Sequence, residues 1–120
     1  MQETTLAKVT DPNLRVYVVW TPMLAPDFEF TVKRATTHVP DARATHYWDR
    51  NGQLSKDYAS VMQLGSGMKA WDVYLVYGRD AEWKDAPPAP YYFMDKIGLG
   101  HELDGDKLAI EAKTLLEGTR

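Results

Sequence analysis

The stretch Arg15-Val-Tyr-Val-Val-Trp20-Thr-Pro-Met-Leu24 constrains this chain more than any other. Val16–Trp20 is β-branched or aromatic throughout, and such a run fits a strand buried on both faces. Pro22 and Pro26 follow at once. A proline lacks the N–H that would continue a ladder and pushes its predecessor away from helical backbone. The strand therefore stops at Trp20, and no helix begins before Pro26. Asp27 then caps a helix predicted to run to about His38. Phe28, Val32, Ala35 and Val39 recur at helical spacing, Glu29–Lys33 forms an i,i+4 pair, and Pro40 ends the helix.

The remaining elements follow from the same kind of signal. Residues 1–13 read as a polar lead-in closed by Asp11-Pro12-Asn13, ahead of a core of about residues 14–117 in a single domain spanning 1–120. Ala42–Trp48 reads as a second strand and Asp49-Arg-Asn-Gly52 as a turn. Ser55 caps a second helix to about Leu64, with Leu54, Tyr58, Val61 and Met62 inward, and Gly65-Ser-Gly67 stops it. Asp72–Tyr77 is a third strand and Gly78-Arg-Asp-Ala81 a hairpin turn. The fourth strand is either Glu82–Lys84 or Tyr91–Met94, and the short turn favours the first. Asp104 or Asp106 caps a final helix carrying Leu108, Ala112, Leu115 and Leu116. A βαβ unit followed by a ββα unit predicts a mixed sheet covered by helices on both faces.

Composition removes whole classes of activity. The chain has no cysteine, so it holds no disulfide, no thiolate-bound metal and no thiol nucleophile. A net charge of −3, with no basic run longer than Lys33-Arg34, argues against nucleic acid or an anionic membrane as partner. The apolar run Val16–Trp20 is too short to span a bilayer. Met1–Lys8 lacks the layout of a signal peptide, which makes a cytoplasmic location the expectation. No motif calls for a cofactor: Gly65-Ser-Gly67 follows a helix instead of opening one, and Ser60 and Ser66 lack the glycines of a nucleophile elbow.

Three features taken together look familiar. An apolar strand ends in Trp20 with Pro22 in the following loop. Trp48-Asp-Arg-Asn-Gly52 turns after the second strand, and Trp71-Asp-Val-Tyr-Leu-Val-Tyr77-Gly-Arg-Asp80 would supply a third strand and hairpin turn. In that order and spacing they resemble the thioredoxin-like superfamily over roughly residues 14–117. The resemblance implies an α/β thioredoxin-like fold, a four-stranded mixed sheet of order 4-3-1-2 flanked by helices on both faces. It also places Thr21 and Leu24 where the redox cysteines of that family stand. The family's cis proline before the third strand is replaced by Lys69-Ala-Trp71. The implied protein is a cysteine-free, non-redox member of the superfamily.

Two segments carry the functional expectation. Trp20, Thr21, Pro22, Met23 and Leu24, with Trp71 nearby in the implied fold, form a candidate binding loop between a strand end and a helix start. Glu82–Met94 packs prolines and aromatics together, and Trp83, Tyr91, Tyr92 and Phe93 are candidate interface residues for a protein or peptide partner. The leading expectation is thus a binding or scaffold module. The rival is an enzyme of unknown substrate that uses Thr21 with Asp49 or Asp72 in the former redox cleft. Trp48-Asp49 and Trp71-Asp72 otherwise read as turn caps beside core-edge indoles. His38, His46 and His101 have no metal-ligand spacing, and a site built from His46 with Asp49 or Met68 would need distant segments to converge.

Overall fold

The computed structural model describes residues 1–22, 34–65, 67, 69–96 and 101–118. The helix expected over 27–38 falls mainly outside them, as do Met23, Leu24 and Met68. Its expected end is a 3-10 turn, Thr36–His38, followed by buried Val39 and exposed Pro40.

Two strands form where β-branched and aromatic residues crowd. β1 (Val16–Trp20) and β2 (Ala44–Trp48) pair in parallel, with Val16 opposite Ala44 and Trp20 opposite Trp48. Asp49 reaches over the turn with both carboxylate oxygens, accepting from the Gln53 and Leu54 backbone N–H groups at 3.2 and 2.9 Å. That opens α1 (Gln53–Val61), helped by Gly52, whose φ of +66° suits a residue without a side chain. Ser55, expected as the cap, lies buried inside the helix and gives its hydroxyl to the Ala70 carbonyl at 2.6 Å. Gln63 ends the helix in left-handed backbone (φ +58°), with Leu64 N–H bonded to the Ala59 carbonyl.

β3 (Val73–Val76) pairs antiparallel with β4 (Tyr92–Asp95). The Gly78–Ala81 turn forms, with Ala81 N–H on the Gly78 carbonyl at 3.2 Å, but it does not close a hairpin. Glu82–Lys84 is not a strand. The chain runs on through its prolines and returns at Tyr91, whose N–H meets the Val76 carbonyl at 2.8 Å. α2 (Gly105–Gly118) begins at Asp104, whose carboxylate accepts from the Asp106 and Lys107 N–H groups.

These strands do not join into the expected four-stranded mixed sheet of thioredoxin-like order. The described residues form two separate two-stranded sheets, β1-β2 and β3-β4. The apolar faces explain the separation. Val16, with Val18 and Ala44 beside it, packs on Leu6 and Val39, while Tyr92 and Met94 pack with Tyr74 and Val76 on Leu108 of α2. A third cluster, Val9 with Ala109 and Ala112, links the two through Leu14 and α2. Each sheet thus has its own small core, and the linkage between them is helical. No described helix is long and apolar enough to cross a membrane.

The linking piece is the segment expected to be a lead-in. Gln2–Leu6 forms a π-helical turn, and Leu6 and Val9 are among the most buried residues of the chain. Thr5 donates its hydroxyl to the Gly105 carbonyl at 2.8 Å, and Lys8 pairs with Asp106. A side chain at Gly105 would collide with Thr4, its Cβ falling 2.1 Å from the Thr4 hydroxyl oxygen. The glycine is there so that the first turn of α2 can touch this segment.

Arg43 holds the same segment from the other side. Its Nε and one terminal nitrogen grip Asp41 at 2.9 and 2.7 Å, and the remaining donors reach the carbonyls of Leu6 (2.9 Å), Val9 and Asp11 (3.1 Å). All five guanidinium donors are therefore used. Arg43→Lys keeps the charge but cannot reproduce this fork, and is expected to lower unfolding free energy by about 2–3 kcal/mol in urea titration. Hydrogen bonding to Arg43 holds the Asp41 carboxyl well below the usual carboxylate range. A depressed acid contributes fully above its ordinary value, about pH 4, and loses that contribution as pH falls below it. The acid limb of a stability–pH curve is thus expected to flatten in Asp41→Asn.

Candidate functional site

The first expected site begins at the end of β1. Trp20 is half-buried, and its indole N–H donates to His46 Nδ1 at 3.1 Å, with the two rings nearly parallel at 11°. His46 Nε2 lies 3.0 Å from the Val39 carbonyl. The parallel register makes this meeting possible, because Val18 sits opposite His46 and both point to the packed face. Thr21 and Pro22 are half-buried beyond the strand, while Met23 and Leu24 lie outside the described residues. Trp71 is exposed, and among the described residues no hydrogen bond or ring contact joins it to Trp20.

The carboxylates proposed to work with Thr21 have other roles. Both oxygens of Asp49 are occupied by the first turn of α1. Asp72 stands exposed in left-handed backbone (φ +48°) just before β3, its carbonyl accepting from Lys96 N–H at 3.3 Å. No hydrogen bond between Thr21 and either carboxylate occurs among the described residues, and no three of their His, Asp and Glu side chains gather as a metal site.

The second expected site is more developed. Trp83 and Tyr58 of α1 meet at right angles, ring centroids 5.9 Å apart and planes at 86°. This is the favourable arrangement of ring quadrupoles. Tyr58 in turn meets Tyr77, hydroxyl to hydroxyl, at 3.1 Å, and the Tyr77 oxygen is 2.9 Å from the Pro88 carbonyl. A carbonyl only accepts, so the single Tyr77 proton goes to Pro88 and Tyr58 donates to Tyr77. One relay therefore ties α1, the end of β3 and the proline segment together. Burial, then the hydrogen bond with Tyr58, pushes the Tyr77 hydroxyl well above its ordinary pKa of 10.0. Trp83 nevertheless remains 45% exposed, and Tyr91 52%.

The other two expected interface residues are less accessible. Tyr92 is only 8% exposed and faces α2, its ring stacked on His101 at 4.9 Å. Phe93 is half-buried opposite Leu75. Aromatic exposure also occurs where it was not expected. Tyr17 and Tyr47 stand side by side on the open face of the parallel pair, ring centroids 6.4 Å apart. They are strand positions alternating with the packed residues, so period-2 reading of β1 and β2 could have exposed them.

A shallow cleft at the start of α2 is lined by Tyr92, His101, Glu102, Asp104 and Lys107 among others. Its charges are largely engaged internally: Asp104 caps α2, Asp106 meets Lys8, and Lys107 pairs with Glu111 at 3.0 Å. Compared with known proteins, the chain matches no family model, no curated protein and no solved structure.

Two tyrosines here make opposite demands. The Tyr92 hydroxyl is buried with no hydrogen-bond partner, whereas that of Tyr77 is fully used. Deleting an orphaned buried hydroxyl removes a desolvation cost, and deleting a relay member creates one. Tyr92→Phe is expected to leave stability unchanged or raise it by about 1 kcal/mol. Tyr77→Phe is expected to lower it by about 1–2 kcal/mol, since it strands the Pro88 carbonyl. Urea unfolding of the two variants side by side checks both. Burial raises Tyr77 and Tyr92 alike, so neither costs stability by ionising below about pH 10, and stability falls as pH rises from there through the raised values.

Proposed function

We propose that this chain is a non-catalytic binding module that presents Trp83 to a protein or peptide partner. The observation that carries the reading is the combination of fixation and exposure at that side chain. Its indole meets Tyr58 at right angles, and Tyr58 is held by the Tyr77–Pro88 relay, yet the residue stays nearly half exposed. An aromatic side chain already ordered before contact loses little conformational entropy on binding, and tryptophan and tyrosine are the residue types most enriched among binding hot spots.

The neighbourhood suits the same purpose. Pro87 is buried and Pro88 is bonded through its carbonyl, so the proline segment behind Trp83 is anchored to the body. Glu82, Lys84 and Asp85 surround the indole in sequence with exposed charges of both signs. An aromatic centre with a charged rim is how protein-binding surfaces are commonly built. The enzymatic alternative lacks comparable support, because Asp49 works as a helix cap and Asp72 stands exposed away from any described bond to Thr21.

A photo-crosslinking residue in place of exposed Lys84 tests this, introduced into the chain in its native cell. One discrete protein adduct is expected, reduced at least about tenfold by Trp83→Ala, the loss typical of a hot-spot truncation. Near-UV circular dichroism of the variant checks that the remaining aromatic packing is intact. An adduct that survives Trp83→Ala, or no adduct at all, overturns the reading.

A further inference from the structure

We propose that His46 is a proton-sensitive latch on the Trp20 side chain, which goes beyond the binding role assigned to Trp83 and does not rest on it. An indole N–H can only donate, so His46 Nδ1, 3.1 Å from it, must present a lone pair. A carbonyl can only accept, so Nε2, 3.0 Å from the Val39 oxygen, must carry the proton. Both contacts are satisfied by one species alone, the neutral imidazole protonated at Nε2. Adding a proton places an N–H at Nδ1 directly against the indole N–H. Donor then faces donor, and Trp20 loses its acceptor.

Among the described residues, the partners facing the His46 ring are the Trp20 indole from β1 and the Val39 carbonyl from the turn before β2, and neither titrates. Of the ionisable side chains on the same elements, Asp41 and Arg43 are tied to each other, and Asp49 caps α1. Arg15 bonds the Pro12 carbonyl, while His38 and Arg34 are exposed. Imidazole is the side chain whose ordinary charge change falls between roughly pH 5 and 8. The consequence of protonation is local. Trp20 ends β1, its carbonyl accepts from Asp49 N–H at 2.9 Å, and Thr21-Pro22 leaves the sheet from there. Acid therefore frees the indole at the point where the strand becomes a loop.

Nitrogen-15 NMR of the full chain tests the latch without perturbing it. At pH 8 the His46 ring is expected as the Nε2–H tautomer. On titration to pH 5, the hydrogen-bonded Trp20 indole N–H signal is expected to be lost with the same midpoint as the His46 ring. His46→Gln, whose amide offers one acceptor and one donor side, is expected to hold that signal constant across the range. His38→Gln and His101→Gln should titrate like the unsubstituted chain. An Nδ1–H tautomer at pH 8 overturns the proposal. So does a Trp20 signal that ignores the His46 titration, or one that still shifts in His46→Gln. The tautomer measurement decides the matter even where a variant does not fold.

Discussion

The guanidinium of Arg43 is the contact on which the arrangement of this protein depends. Among the described residues, the buried apolar side chains fall into three small clusters, none of which touches every element. Something must fix how the clusters meet. Arg43 stands at the entry to β2 and collects the carbonyls of Leu6, Val9 and Asp11, whose neighbours would otherwise have to hold these groups in water. Asp41 neutralises it through two hydrogen bonds, so the charge is largely buried without being left alone. Once those carbonyls are held, Leu6 is delivered to the cluster under β1 and β2, and Val9 to the cluster against α2. Thr5 and Lys8 then clamp the first turn of α2, which carries Leu108 to the second sheet.

That chain of dependence explains why the two sheets stay separate. A shared mixed sheet would have to align β3 with β1 and bury one continuous face. Here the residues that would form that face are already divided. Tyr74 and Val76 turn toward α2 with Tyr92 and Met94, and Val16 and Val18 turn toward Leu6 and Val39. The cost is visible on the parallel pair. Parallel strands usually have both faces covered, yet Tyr17 (66%) and Tyr47 (50%) remain in solvent.

What could be read from the chain, and what could not, follows the reach of each interaction. The strand cores at 16–20, 44–48 and 73–76 show locally, because β-branched and aromatic runs sit between turn residues. The Asp104 cap shows locally for the same reason, its carboxylate serving N–H groups two and three residues away. The cap of α1 was misplaced because Asp49 and Ser55 are both good caps, and only the left-handed Gly52 between them selects the aspartate. The favoured place for the fourth strand, Glu82–Lys84, gives way to the alternative near Tyr91–Met94, because a real turn at Gly78–Ala81 is overridden by the bond from Tyr77 to Pro88, eleven residues on. Arg43 left one local trace, an Asp41 carboxylate accepting its own N–H, but its three carbonyl partners lie more than thirty residues back. The thioredoxin-like expectation failed at this level. It rested on order and spacing along the chain, which do not say which apolar faces pack together.

The candidate site shows the same limit, and its physical reason is instructive. Composition marked residues 83–94 as unusual but could not distinguish its aromatics from one another. Position on the pleat does so: Tyr92 and Met94 turn inward on one face of β4, while Tyr91, just before the strand, stays exposed. Trp83 lies on no strand, and its orientation comes from Tyr58, a residue that helical spacing had assigned to the core. Tyr58 does both. Its ring meets an exposed indole at right angles while its hydroxyl joins the relay to Pro88, so packing inside the protein determines what is offered outside it. A surface built this way is rigid only while α1, β3 and the proline segment stay docked together. Binding at Trp83 would therefore be coupled to the integrity of that relay, although Tyr77 and Pro88 need touch no partner at all.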